Sequence, residues 1–228
     1  AEILDRRDGA GMIQGAIFDL DGTLLDSMSL WDTIGEDYLR SLEKEPVEDL
    51  KETFKTFTLE QSAQYYREHY GVTLSVEEIV DGIDRMIQRY YLETVPLKPG
   101  VEEFLQKLDR SGVKLCVATV TNKTLAQGAL QRLGVARYFS RVFTCSPGHG
   151  KEEPTIYREA LEHLGTEKRK TLVFEDAFHA LCTAKQDGFP VVGVYDSHED
   201  RQEDLKAMAD CYIQDYRAAE NFWRYTGL

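Results

Sequence analysis

Four clusters of polar residues interrupt apolar, strand-like segments. Asp19 and Asp21 follow Met12–Phe18. Thr119, with Thr121-Asn122-Lys123 behind it, ends a segment that begins at Val113. Lys151 lies in the loop after Arg141–Cys145, and Glu175-Asp176 closes Thr171–Phe174. Carboxylates from separate segments, converging in one crevice, would repel one another strongly unless a cation lay among them. Oxygen ligands with no His or Cys beside them favour Mg²⁺ over Zn²⁺. Mg²⁺ with a lysine and a hydroxyl is the equipment expected for handling a phosphate.

The elements that must bring these clusters together are legible in the hydrophobic rhythm. Leu30, Trp31, Ile34, Tyr38, Leu39 and Leu42 fall at helical spacing. Further helices are expected to open at Thr58, with Gln61 three residues on, and at Ser75, with Glu78 three on, both capping-box signatures. Residues 27–94 therefore read as all-helical. After Pro99-Gly100 the rhythm alternates. Helices are expected at Val101–Leu108, Thr124–Leu133, Pro154–Leu164, Ala177–Gln186 and Glu199–Met208. Strands are expected at Val113–Ala118, Arg141–Cys145, Thr171–Phe174, Val191–Val194 and Cys211–Ile213. Strands alternating with helices of this length predict βαβ units in an α/β, doubly wound parallel sheet, in which ligands bind beyond the carboxyl ends of the strands. The expected organisation is a Rossmann-like core of residues 12–26 and 95–228, with an inserted all-helical cap at 27–94. Residues 1–11 are expected to be a tag or a disordered extension ahead of Met12.

Of the 228 residues, 40 are acidic and 27 basic, a formal net charge of −13. That balance argues against nucleic acid or an anionic membrane surface as a partner, since both need a basic face. It also requires an anionic substrate to find a locally positive site. Cys116, Cys145, Cys182 and Cys211 are widely spaced with no CxxC pair, which suits free thiols in a reducing, cytoplasmic setting. A monomer or a homodimer is expected.

Phe18-Asp19-Leu20-Asp21-Gly22-Thr23-Leu24 resembles the DxDGT motif of the haloacid dehalogenase-like superfamily, and the other motifs follow in that family's order. Thr119 resembles the Ser/Thr that ends the second strand. Lys151-Glu152-Glu153-Pro154-Thr155-Ile156-Tyr157 resembles the lysine motif KPxPxxY, and Glu175-Asp176 the acidic pair. The resemblance implies Asp19 as nucleophile and Asp21 as general acid/base. It implies Thr119, Val120, Lys151 and Gly22 around the substrate phosphate, with Thr121 the rival to Thr119. It implies Mg²⁺ held by Asp19, the Asp21 carbonyl and Asp176, with Glu175 ligating or orienting. Two departures stand out: Ala177-Phe178-His179-Ala180 replaces the usual Ser-x-x-Gly, and Glu152 stands where Pro is common.

The expected activity is a Mg²⁺-dependent phosphatase acting on a small phosphorylated metabolite through a phospho-aspartate. The alternative is a β-phosphoglucomutase-like hexose-phosphate mutase, which the resemblance makes weaker. Such mutases carry a Gly-x-x-Arg-type element in the cap, and residues 52–64 contain neither glycine nor arginine. A receiver-like signalling module shares the acidic pocket but is about half this size and lacks the helical insertion.

Overall fold

Short runs of β-branched and aromatic residues buried on both faces can only be interior strands. Gly15–Phe18 (β1) is one: Ala16, Ile17 and Phe18 have no exposed surface. The computed structural model of the protein describes residues 12–228, so the expectation for residues 1–11 lies outside the described residues. Around β1 lie Lys114–Thr119 (β2), Phe139–Thr144 (β3), Thr171–Glu175 (β4), Val191–Val194 (β5) and Cys211–Ile213 (β6). All pairings are parallel, in the order β3-β2-β1-β4-β5-β6. The α/β doubly wound fold class is therefore as the sequence implies.

The strand order reverses at β1, and in such sheets the crevice opens at the reversal. Phe18 sits in register with Val117 and Phe174, and the Asp19 N–H donates to the Phe174 carbonyl at 3.0 Å. Asp19 and Glu175 therefore leave the sheet side by side. The chain divides into two compact units, one formed by the segment up to Asp26 together with Val95–Leu228, the other by Ser27–Thr94.

In the first unit Val101–Arg110 (α5) buries Val101, Phe104, Leu105 and Leu108, the i, i+3, i+4, i+7 stripe of an amphipathic helix. Lys123–Arg132 (α6) begins at Asn122, whose side chain accepts from the Thr124 and Leu125 N–H groups. Thr155–Leu164 (α7) packs Ile156, Tyr157 and Ala160 into the same buried cluster as Ile17 and Val173. Phe178–Gln186 (α8) and Gln202–Met208 (α9) complete the βαβ series. α9 begins at Gln202 rather than Glu199, because the Glu199 carboxylate accepts from the Phe178 N–H at 2.7 Å and caps α8 instead. The sequence pattern assigns nothing after Ile213. The structure adds Glu220–Thr226 (α10), whose Phe222 is fully buried with ring centroids 5.0 Å from Phe104 and 5.5 Å from Phe174.

The second unit is all helix: Ser29–Ser41 (α1), Leu50–Phe54 (α2), Leu59–His69 (α3) and Val76–Arg89 (α4). Both capping boxes are formed, at Thr58/Gln61 and Ser75/Glu78. The single-turn α2 has no periodic signal in sequence and is held by the Asp49 carboxylate, which accepts from the Glu52 N–H at 3.3 Å. Leu39, Leu50, Ala63, Tyr66 and Ile79 form the centre of this unit.

Candidate active site

Asp19, Glu175 and Asp176 emerge from the carboxyl ends of β1 and β4 with ligand oxygens all within 4.8 Å of one another. Each is buried. Lys151, 5 % exposed and supplied by the loop between β3 and α7, donates from one Nζ to Asp19 Oδ1 at 2.6 Å and to Glu175 Oε1 at 2.7 Å. The Tyr157 hydroxyl on the first turn of α7 donates to the same Glu175 oxygen at 2.6 Å. Thr23 Oγ1 lies 3.2 Å from Asp19 Oδ2 and 3.0 Å from Asp176 Oδ1.

Burial raises the cost of every charge here, and the partners decide which groups bear it. Burial pushes the Asp19 carboxyl up, but the Lys151 ammonium and hydrogen bonds, including one from the Leu20 N–H, outweigh it and hold the group below its ordinary value. Glu175 is pushed up to about 8, by burial first and the Asp19 charge second. Asp176 is also raised well above the usual carboxylate range, by burial and by Asp19. Burial disfavours the Lys151 ammonium, yet Asp19 and Glu175 more than compensate and raise it. With all three carboxylates ionised, one ammonium leaves two negative charges unbalanced in a buried cluster. A hard divalent cation matches both that charge and the all-oxygen donor set.

The turn that aims Asp21 is equally specific. Gly22 has φ +80°, and a Cβ placed there would lie 2.1 Å from Asp176 Oδ2, so only glycine lets the turn pass this close to the acidic pair. Its N–H donates to the Leu25 carbonyl at 2.9 Å. The expected contact from Gly22 to a phosphate is thus corrected: that amide is spent within the turn, and the residue serves geometry. The Asp21 carboxylate is bonded by the Thr121 hydroxyl and is not among the three clustered acidic side chains.

Thr119 is fully buried at the end of β2, and its Oγ1 accepts from the Thr121 N–H at 3.1 Å. The two candidate threonines therefore occupy different positions, Thr119 behind the loop and Thr121 on Asp21. Val120 between them is 64 % exposed.

Three contributors were not assigned roles from sequence. Thr23 and Tyr157 lie inside the quoted motifs, which was their only signal. Tyr216 had none: its buried hydroxyl donates to the Thr23 carbonyl at 2.9 Å from beyond β6 and pins the turn. The two departures also find local accounts. Glu152 Oε1 accepts from the Gly150 N–H at 3.0 Å and stiffens the lysine loop without proline. Ala177, which has no side chain to cap α8, is served by Glu199.

Comparison with known proteins agrees with this arrangement. A phosphorylated carbohydrates phosphatase from Thermotoga maritima is 30% identical over 204 residues, covering 89% of this chain and 94% of its own. A mitochondrial (DL)-glycerol-3-phosphatase from Arabidopsis thaliana is 29% identical over 202 residues, covering 85% and 67%. Among solved structures, one from Thermotoga maritima provisionally assigned as a beta-phosphoglucomutase superposes with a TM-score of 0.79 at 28% identity, covering 92% of this chain and 98% of that one. A family model matches residues 16–194, from β1 to the end of β5, and on that match the chain belongs to the haloacid dehalogenase-like hydrolases.

Proposed function

We propose that the protein is a Mg²⁺-dependent phosphatase of small phosphorylated metabolites that works through a phospho-aspartate on Asp19. The observation that carries this reading is the buried Lys151 bridge between Asp19 and Glu175. It leaves Asp19 ionised in a dry site, as a carboxylate nucleophile must be.

In the proposed sequence an Asp19 carboxylate oxygen attacks phosphorus and the bond from phosphorus to the substrate alcohol breaks. Asp21 gives its proton to the departing alkoxide, then takes one from the water that cleaves the acyl phosphate, releasing inorganic phosphate and restoring Asp19. The hydrogen bond from Thr121 orients the Asp21 carboxylate for both transfers. Lys151 and Thr119, with the amide of Val120, hold phosphate oxygens. Asp19, Asp176 and the Asp21 carbonyl, with Glu175 beside them, are the residues that would hold Mg²⁺. The ion when bound supplies charge neutralisation for an incoming phosphate dianion. The helical unit is read as the family's cap.

The relatives' names, a phosphatase of phosphorylated carbohydrates and a glycerol-3-phosphatase, support the hydrolytic reading and set where a substrate screen begins. The test is phosphate release from a panel of sugar phosphates, glycerol 3-phosphate, phosphoglycolate and nucleotides, with and without Mg²⁺. Turnover that EDTA abolishes and Mg²⁺ restores is expected. Full activity in EDTA would overturn the metal assignment.

The likeness to the Thermotoga maritima structure assigned as a beta-phosphoglucomutase favours a second reading, phosphoryl transfer between two positions of a hexose. Against it stands the absence of arginine from residues 41–66, where a mutase needs a fixed cation for the far phosphate. Incubation with β-glucose 1-phosphate and a trace of glucose 1,6-bisphosphate separates the two. Inorganic phosphate should dominate, and faster formation of glucose 6-phosphate would replace the phosphatase reading.

A further inference from the structure

A second cavity lies wholly within the helical unit. It has a volume of about 330 Å³ and is walled mainly by aromatic and branched aliphatic side chains, among them Trp31, Phe54, Tyr66 and Ile83. Trp31 and Phe57, which also line it, are 45 % and 38 % exposed, so the apolar wall continues to an open mouth. A cavity of about 150 Å³ is enough to hold benzene, so this one has room for a bicyclic ring system.

Two polar features are built into that apolar wall. Ser62 on α3 is 6 % exposed and lines the cavity, and its hydroxyl has no hydrogen-bond partner among the described residues. A buried hydroxyl left unpaired is costly, and a ligand acceptor would satisfy it. Lys51 and Lys55 also line the cavity, while no carboxylate does. Lys51 is paired with Asp32 at 2.5 Å. Lys55 has no carboxylate partner among the described residues. Residues 27–94 carry fifteen acidic and seven basic side chains. A cavity with two lysines and no acid in so acidic a unit is charged against its surroundings, and the complement is an anion.

We infer that the helical unit holds a binding site for a planar aromatic anion: one or two fused rings against Phe54, Tyr66 and Ile83, with an anionic oxygen at Lys55 and an acceptor for Ser62. Trp31 and Phe57 flank the mouth and exclude water from the bound ring, as aromatic side chains at ligand sites do. The site is defined without reference to phosphate or to the chemistry of the first unit, so it stands or falls independently of the proposed activity.

Isothermal titration of the whole protein with naphthalene-2-sulfonate tests it, since this probe carries no transferable phosphoryl group. Saturable one-to-one binding is expected, with a dissociation constant below about 1 mM. A naphthalene bearing a quaternary ammonium in place of the sulfonate should bind at least about tenfold more weakly, a comparison made on the unaltered protein. Lys55→Glu should weaken the sulfonate by about tenfold, and Ser62→Leu, which fills the cavity, should abolish binding while circular dichroism remains native. Absence of saturable binding, equal affinity for the two naphthalenes, or unchanged affinity in a folded Ser62→Leu variant would each overturn the site.

Discussion

The sheet unit and the helical unit bury different things. The sheet unit encloses Asp19, Lys151, Glu175, Asp176 and Asp196, all at most 8 % exposed. Among the described residues the helical unit buries no ionisable side chain to that degree, though Glu36 has one oxygen enclosed without a partner. Its interior is aromatic instead: Phe54 meets Tyr66 edge-on at 5.2 Å, and Tyr38 lies 5.6 Å from Tyr66. Their net charges differ in the same sense. Residues 27–94 carry eight more acids than bases, while residues 12–26 and 95–228 carry only four more. Buried charge is tolerated in the sheet unit because strand ends deliver partners at fixed register, so Lys151 can meet two carboxylates at once. Helices joined by loops cannot enforce that register, and their stability rests on packing and caps. Chemistry that needs desolvated ions therefore belongs to the sheet unit, and recognition of carbon surface suits the helical one.

Substitutions can break or sharpen that contrast. The largest effect is expected from Asp19→Asn, which keeps the side-chain shape and removes the nucleophile. Phosphate release should fall by at least about a thousandfold with circular dichroism unchanged. A loss of less than tenfold would take Asp19 out of that role. Gly22→Ala comes next. The new methyl has no room beside Asp176 Oδ2, and φ +80° strains any side chain, so a loss of about 1–3 kcal/mol is expected in urea unfolding, together with a higher Mg²⁺ requirement. An unshifted midpoint would show that the turn relaxes freely.

A smaller effect concerns Asp196, bound by Lys98 Nζ at 2.9 Å and by the His198 N–H at 2.9 Å. Burial pushes its carboxyl up, but those partners outweigh it and hold the group below its ordinary 3.8. A carboxyl lowered by folding contributes stability that is present above the unfolded value and lost as pH falls through the folded one. Asp196→Asn should thus cost about 1–2 kcal/mol at pH 7 and progressively less as pH falls below about 4. A penalty independent of pH would mean that the charge is not what Lys98 and His198 recognise. The helical unit offers no counterpart to this acid-sensitive pairing. There the matching test is Thr58→Ala, which removes one capping box and should cost about 1 kcal/mol at any pH where the fold persists. Guanidinium unfolding at pH 5 and pH 8 checks it, and a pH-dependent loss would mean the cap is coupled to ionisation.

What could be read without the structure was whatever neighbours in sequence decide. The strand that stops at Asp19, the glycine of the turn, and the helices that open at Thr58 and Ser75 are local devices. Burial period, φ preference and caps act over at most a few residues. Partners across the fold were not legible, because hydrophobic period reports that a side chain is buried and says nothing of what lies opposite. Tyr216 reaches the Thr23 carbonyl across 193 positions, and Glu199 caps a helix that starts 21 residues earlier. The quoted motifs marked Asp19, Lys151 and Glu175 as polar residues of one crevice. Only the tertiary structure put one lysine nitrogen between both carboxylates, and with it decided which acid keeps its charge and which is driven towards neutrality. Protonation in a buried cluster depends on distances of a few ångströms and on the exclusion of water, and both exist only once the strands have been laid side by side.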